Sequence, residues 1–219
     1  MMEYDREKRE MISEIERHAG DCQRYTSISN FSENVLNAMR EVPRHEFVPE
    51  TYRRSAYVDS PLSIGHGQTI SQPFIVALMC EVLELKKTDR VLEVGAGCGY
   101  HAAVLSKLCR EVFTLEIVNE LALIAAQNLA PYKNVKVLQK NGYTGWIEKA
   151  PFDAISVAAA ADQIPESLIN QLATAGRMII PLKNPAQPGQ SLALIKKRND
   201  GGIYRRDILP VIFVPFVES

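Results

Sequence analysis

Leu92-Glu93-Val94-Gly95-Ala96-Gly97-Cys98-Gly99-Tyr100 is the stretch on which the fold turns. Arg90 to Val94 reads as a short buried strand, and Tyr100 opens a helix-patterned segment reaching Leu108. Glycines at 95, 97 and 99 let the backbone bend sharply and let a ligand approach where a Cβ would intrude. Their spacing is G-x-G-x-G, one residue short of the G-x-G-x-x-G of dinucleotide-binding turns, whose third glycine serves close helix–strand packing. A second strand, Glu111 to Ile117, brings Glu116 about twenty residues past the first glycine, where a carboxylate can accept hydrogen bonds from ribose hydroxyls. Strand, glycines, helix, strand and acid in this order favour a nucleoside-bearing ligand over a glycine turn that binds nothing. Glu93, beside the turn, either orders it or touches that ligand.

Away from this unit the alternation continues. Helices are predicted at Pro73 to Leu85, Glu120 to Ala130 and Glu166 to Leu172. Further strands are predicted at Val135 to Gln139, Phe152 to Ala158, Arg177 to Pro181, Ser191 to Lys197 and Ile208 to Val214. Strands separated by helices imply βαβ units on a parallel sheet, and the last strands lack helix-length separators, so they should close as an antiparallel hairpin. Upstream, Met11, Ile12, Ile15 and Ala19 share one face of a charged helix that Gly20 should stop, and Ser32 should cap a second helix to Arg40. Val42 to Gln72 contains Pro43, Pro49, Pro61, Gly65 and Gly67 and reads as mostly irregular, yet its apolar content predicts a packed, ordered loop. The expectation is one α/β domain over 1–219: a doubly wound, mostly parallel seven-stranded sheet in 73–219, an N-terminal helical and loop cap in 1–72, and a C-terminal hairpin.

Composition narrows the function. The 219 residues are 46% hydrophobic and 23% charged, enough apolar content for a self-sufficient core. A formal charge of −1 gives no cationic field to hold nucleic acid, and the basic runs at 196–198 and 205–206 read as a solvated face. Cys22, Cys80, Cys98 and Cys109 form no C-x-x-C pair and the four histidines are scattered, so neither a metal nor a disulfide framework is expected. No apolar run reaches the ~18 residues of a membrane span. The opening MMEYDREKRE is unlike a secretory leader, so a cytoplasmic protein is expected. Without a heptad or conspicuous apolar stripe, a monomer is expected.

The glycine turn resembles that of class I S-adenosylmethionine-dependent methyltransferases. The strand at 152–157 runs into Ala158-Ala159-Ala160-Ala161 rather than the Asn/Asp-Pro-Pro-aromatic loop of amino methylation, and no cysteine follows a proline as in cytosine methylation. The segment from Ala56 to Pro73, AYVDSPLSIGHGQTISQP, closely resembles the signature of protein-L-isoaspartate O-methyltransferases. So do Val42-Pro43-Arg44, Phe47-Val48-Pro49, Gly145-Trp146, Ala150-Pro151-Phe152-Asp153, Gly176-Arg177 and Phe213-Val214-Pro215. The resemblance implies methyl transfer from S-adenosylmethionine to the α-carboxyl of L-isoaspartyl residues in damaged proteins and peptides, which starts repair through a succinimide. Ser71 corresponds to the family's active-site serine. Gly65, Gln68, Gly95, Ala96, Gly97, Cys98, Gly99, Glu116, Asn141 and Gly142 are then expected around the cofactor. Thr69, Ile70, Ala159, Ala160 and Val214 are expected around the substrate, the small alanines leaving room for its backbone or simply packing a strand end.

These residue types suit that chemistry. A carboxyl with an unperturbed pKa of ~4 is already ionised at neutral pH, so no strong base is needed. What remains is alignment of carboxylate, methyl and sulfur, for which positioning can supply ~7–11 kcal/mol. A hydroxyl such as Ser71 or Thr69 can hold the carboxylate without removing its charge; the plain alternative for Ser71 is a helix cap ahead of Pro73, and for His66 a surface position. One departure stands out: Lys140-Asn141-Gly142 occupies the place of the family's usual Gly-Asp-Gly. An uncharged Asn141 accepting from adenine predicts a donor affinity weaker by about 1 kcal/mol. Three competing functions are a relative acting on another carboxylate, a cofactor-binding module without catalysis, and a nicotinamide enzyme.

Overall fold

The computed structural model describes residues 4–184 and 188–217. Helix α1 (Asp5–Thr26) buries Met11, Ile12, Ile15 and Ala19 on one face, but it runs past Gly20. A glycine inside a helix costs only ~1 kcal/mol relative to alanine. Each fully buried aliphatic side chain returns ~1.5–3 kcal/mol, and burial extends beyond the glycine to Thr26. Ser27, in the left-handed region, ends the helix by donating its N–H to Gln23 O. Helix α2 (Glu33–Glu41) starts behind Ser32, whose hydroxyl accepts from Val35 N as the sequence predicts.

The 42–72 segment is more regular than predicted. It contains 3₁₀ turns at Arg44–Glu46 and Glu50–Ser55 and an antiparallel hairpin of β1 (Leu62–Gly65) and β2 (Gln68–Ile70). Strands of three and four residues are too short for period-two alternation to stand out. The predicted packing is present: Phe47, Val48, Tyr57 and Ile64 are buried.

Then follow α3 (Pro73–Val82), β3 (Arg90–Val94), α4 (Tyr100–Ser106), β4 (Glu111–Glu116), α5 (Asn119–Asn128), β5 (Val135–Gln139), β6 (Phe152–Val157), α6 (Glu166–Gln171), β7 (Leu172–Lys183), β8 (Gln190–Lys197) and β9 (Ile203–Val211). Strand β9 begins at Ile203 rather than Ile208, because in this edge strand Ile203, Tyr204 and Arg205 are exposed on both faces and show no apolar alternation. It ends before Phe213, whose N–H donates to Gln190 Oε1 (2.6 Å) and whose carbonyl accepts from Gln190 Nε2 (3.0 Å), so a side chain of β8 takes the place of the backbone ladder there. The basic runs are partly structural. Lys197 Nζ donates to Ile169 O and Leu172 O, and Arg206 ties β9 to the end of α1 through Thr26 O (2.6 Å).

The sheet order is β5-β4-β3-β6-β7-β8-β9. Strands β5, β4, β3, β6 and β7 are mutually parallel, and β8 is antiparallel to both neighbours. Val91 and Val112 face one core, while Leu92, Val94, Phe113 and Leu115 face the other, so the central strands are buried on both sides. This is the doubly wound architecture expected. Strand order reverses between β3 and β6, and ligands of such sheets bind beyond the strands' carboxyl ends at that reversal.

Candidate active site

The chain leaves β3 at that reversal. Gly95 has φ 92° and Gly99 φ 91°, conformations that side-chain-bearing residues rarely adopt. The turn's amides are largely engaged within the protein: Gly95 N and Ala96 N donate to Leu115 O, Gly97 N to Glu116 Oε2 (2.8 Å) and Gly99 N to Ala96 O. Such a loop offers no open row of amides to a pyrophosphate, which separates it from a dinucleotide site. The third glycine serves packing, since a Cβ on Gly99 would lie 2.9 Å from Leu129 Cδ1. Glu116, 6% exposed, also accepts from Ile117 N and Val118 N through Oε1. A carboxylate has about four acceptor positions; three amides fix its orientation and leave capacity for a hydroxyl.

A cavity of ≈ 830 Å³ opens here, within the size range of small-molecule sites. Gln68, Thr69, Ile70, Ser71, Gly95, Ala96, Gly97, Cys98, Glu116, Gly142, Ala159 and Val214 line it. Gly65, Gly99, Asn141 and Ala160 stand outside that lining, each for a visible reason. Gly65 forms the exposed hairpin turn beside His66, which is itself exposed at φ 52°. Ala160 is buried and binds the C-terminal segment, donating to Val214 O and accepting from Phe216 N. Asn141 Oδ1 accepts from Tyr143 N (2.8 Å), capping a short turn that presents Gly142. A Cβ on Gly142 would sit 2.2 Å from Val94 Cγ1. The flanking Lys140 lines the wall in its place. Size, the poised Glu116 carboxylate, apolar walls at Val94, Leu115 and Ile117, and the absence of a pyrophosphate cradle fit an adenosine carrying a short side chain.

Ser71 belongs to the same lining. It is not a helix cap: Gln72 holds that position without a side-chain bond, and α3 is capped instead by Asp59 Oδ1, which accepts from Phe74 N (2.8 Å). Among the described residues the Ser71 hydroxyl has no hydrogen-bond partner, and the residue faces the cavity. Its carbonyl accepts from Arg44 Nη2 (2.8 Å), while Arg44 Nε donates to Ala56 O (2.8 Å). Arg44 is fully buried with its guanidinium 4.7 Å from the Tyr100 ring centroid, and burial lowers its pKa. One cation thus pins both ends of the 56–71 segment beside the residue that follows the glycine turn. Sequence pattern marked Arg44 only as part of Val42-Pro43-Arg44, and it did not single out Asp59 or His18, because their partners are distant in the chain.

Beneath the turn, Glu93 is fully buried, accepts from the Thr114 hydroxyl, and lies 3.7 Å from His101 Nδ1. Its hydrogen bond goes to β4 rather than to the glycine turn, and it is absent from the cavity wall. Burial pushes its carboxyl up to about 8, and burial pulls the His101 imidazole down to about 4. Folded Glu93 keeps its proton up to about pH 8 whereas the unfolded chain loses it near 4.5. Stability therefore falls as pH rises through that window, by up to ~1.4 kcal/mol per pH unit. His101 acts oppositely between about 4 and 6.5, where the unfolded chain binds more protons. Glu93→Gln stays neutral, so its unfolding free energy in urea should rise relative to wild type from about pH 5 to about pH 8. A difference independent of pH contradicts a protonated Glu93.

Comparison with known proteins agrees with this geometry. Residues 22–219 match the model of the protein-L-isoaspartate(D-aspartate) O-methyltransferase (PCMT) family. A protein-L-isoaspartate O-methyltransferase of Opitutus terrae is 54% identical over 189 residues, covering 85% of this chain and 80% of that protein. Among solved structures, a protein-L-isoaspartate O-methyltransferase superposes with a TM-score of 0.83 at 29% identity, over 95% of this chain; the chain spans 65% of that protein's length. A Plasmodium falciparum protein described as a β-aspartate methyltransferase, solved with S-adenosyl-L-homocysteine, superposes with a TM-score of 0.76 at 30% identity, over 93% of this chain and 98% of that one. With nearly the whole chain matched by the family model and the glycine turn and Ser71 on one cavity, the chain belongs to the protein-L-isoaspartate(D-aspartate) O-methyltransferase family.

Proposed function

We propose that the protein methylates the α-carboxyl of L-isoaspartyl residues in damaged proteins and peptides, using S-adenosylmethionine. The observation that carries this reading is a single cavity whose walls include both the glycine turn with Glu116 and Ser71, whose hydroxyl has no partner among the described residues. Residues 73–219 act as the donor core and 1–72 as the acceptor cap of one domain. Bound there, S-adenosylmethionine supplies a methyl group already activated on a sulfonium. Glu116 takes a ribose hydroxyl, Gly95, Ala96, Gly97 and Cys98 let the donor lie against the backbone, and Gly142 leaves space beside Val94. Ser71, with Thr69, donates a hydrogen bond to one oxygen of the anionic acceptor and leaves the other free to form the bond to carbon. Gln68 and Ile70 close the hairpin over the site, while Ala159 and Val214 border the acceptor's backbone. Asn141, Gly65, Gly99 and Ala160 support these walls from behind. The ester oxygen then departs as methanol when the neighbouring peptide nitrogen closes the succinimide.

The partners in this reading are isoaspartyl-containing polypeptides met by a cytoplasmic monomer, with no role for nucleic acid. Among the described residues no helix is long and apolar enough to cross a membrane, and no cluster of three metal-ligating side chains occurs. The test is methanol release from an isoaspartyl peptide beside its normal aspartyl twin. Release from the isoaspartyl form alone is expected; equal release, or release from the twin only, overturns the proposal.

A further inference from the structure

We propose that His18 is a positioning residue of the acceptor end, holding the Ser71–Gln72 strap in place through Asp59. This rests on the acceptor reading above. His18 comes from α1, upstream of the residues the family model matches. Its Nδ1 lies 2.5 Å from Asp59 Oδ2. The same oxygen accepts from Gln72 Nε2 (3.0 Å), and Oδ1 accepts from Phe74 N (2.8 Å). One carboxylate, its side chain 4% exposed, therefore gathers donors from α1, from the strap and from the first turn of α3.

Ser71 is gripped from both sides as a result, by Arg44 on its own carbonyl and by Asp59 on the next side chain. The His18 ring stands edge-on to Phe74 with centroids 5.5 Å apart. Arg17 Nη2 approaches Nε2 at 3.4 Å; a guanidinium only donates, so Nε2 accepts and the ring proton sits on Nδ1, facing Asp59. His18 lines the same cavity as Ser71 and Gln72, and Cys22, one turn further along α1, lines it too. The glycine turn and Glu116 hang from β3 and β4, and among the described residues the bonds of the His18–Asp59 pair go to the strap and α3 instead, so loosening the strap should weaken the acceptor and spare the donor.

The experiment compares His18→Ala, His18→Asn and His18→Gln with wild type. Measured are peptide KM, kcat and S-adenosylhomocysteine affinity by calorimetry. His18→Ala should raise the KM for an isoaspartyl peptide about tenfold with kcat and product affinity changed less than about twofold. Asn can place an amide N–H where Nδ1 was and should recover most of the loss; the longer Gln cannot. An unchanged KM in His18→Ala, equal KM values for Asn and Gln, or product affinity falling in step overturns the inference. If the alanine variant fails to fold, the Asn and Gln pair decides alone. A wild type inactive on the isoaspartyl peptide overturns the functional reading and this inference with it, whereas an active wild type with a flat His18 series overturns this inference only.

Discussion

Arg44→Ala is expected to destabilise the protein by about 3–5 kcal/mol. The buried guanidinium satisfies the carbonyls of Ala56 and Ser71, and its removal leaves both without a donor. An orphaned buried acceptor costs ~1–3 kcal/mol, and the emptied volume adds a cavity term. Working against this, Arg44 Nη1 has no partner and among the described residues the guanidinium makes no salt bridge, Asp59 acting on it only at longer range, so deletion also removes a desolvation cost. The two carbonyls and the lost ring contact outweigh one orphaned N–H. Arg44→Lys should fall between, since one ammonium cannot span both carbonyls in the planar geometry of a guanidinium. Urea unfolding followed by circular dichroism measures both, and a change below about 1 kcal/mol for the alanine variant contradicts the clamp.

Ser71→Ala is expected to leave the fold and S-adenosylhomocysteine binding intact while lowering kcat/KM for an isoaspartyl peptide about 10- to 150-fold. That range is the value of one hydrogen bond to a charged partner, ~1.5–3 kcal/mol, expressed as a rate. Complete loss is not expected, because the acceptor is ionised without help and alignment is distributed over the whole strap. Neither kinetic constants within twofold of wild type nor a parallel loss of product binding is compatible with a hydroxyl that holds only the acceptor; ~0.4 kcal/mol is too little for such a bond.

Much of the fold is legible because local and tertiary demands agree. Arg90–Val94 is a strand followed by a glycine turn and a helix, and the structure reproduces the strand's bounds and the helix start at Tyr100, the helix ending at Ser106 rather than Leu108. Disagreement arises where a distant partner decides. Gly20 stays helical because α1 is packed on both sides of it. The first half of strand β9, Ile203 to Asp207, is recognisable only from its pairing with β8, since Arg205 and Asp207 break its apolar pattern. The same limit applies to the site. Glycines and Glu116 announce themselves by spacing, but the Asp59 carboxylate that caps α3 is fifteen residues upstream of the amide it binds. His18 is further still, forty-one residues from Asp59. The 140–142 departure also reads differently in three dimensions: Asn141 turns to Tyr143 N, and Lys140 and Gly142 meet the cavity.

The most direct measurement is a crystal structure with S-adenosylhomocysteine and an isoaspartyl peptide bound together. The account predicts the product's sulfur against the Gly95–Gly97 backbone, a ribose hydroxyl on Glu116, and the peptide's α-carboxylate within hydrogen-bonding reach of Ser71 Oγ. A sulfur elsewhere, or a carboxylate remote from Ser71, would contradict it.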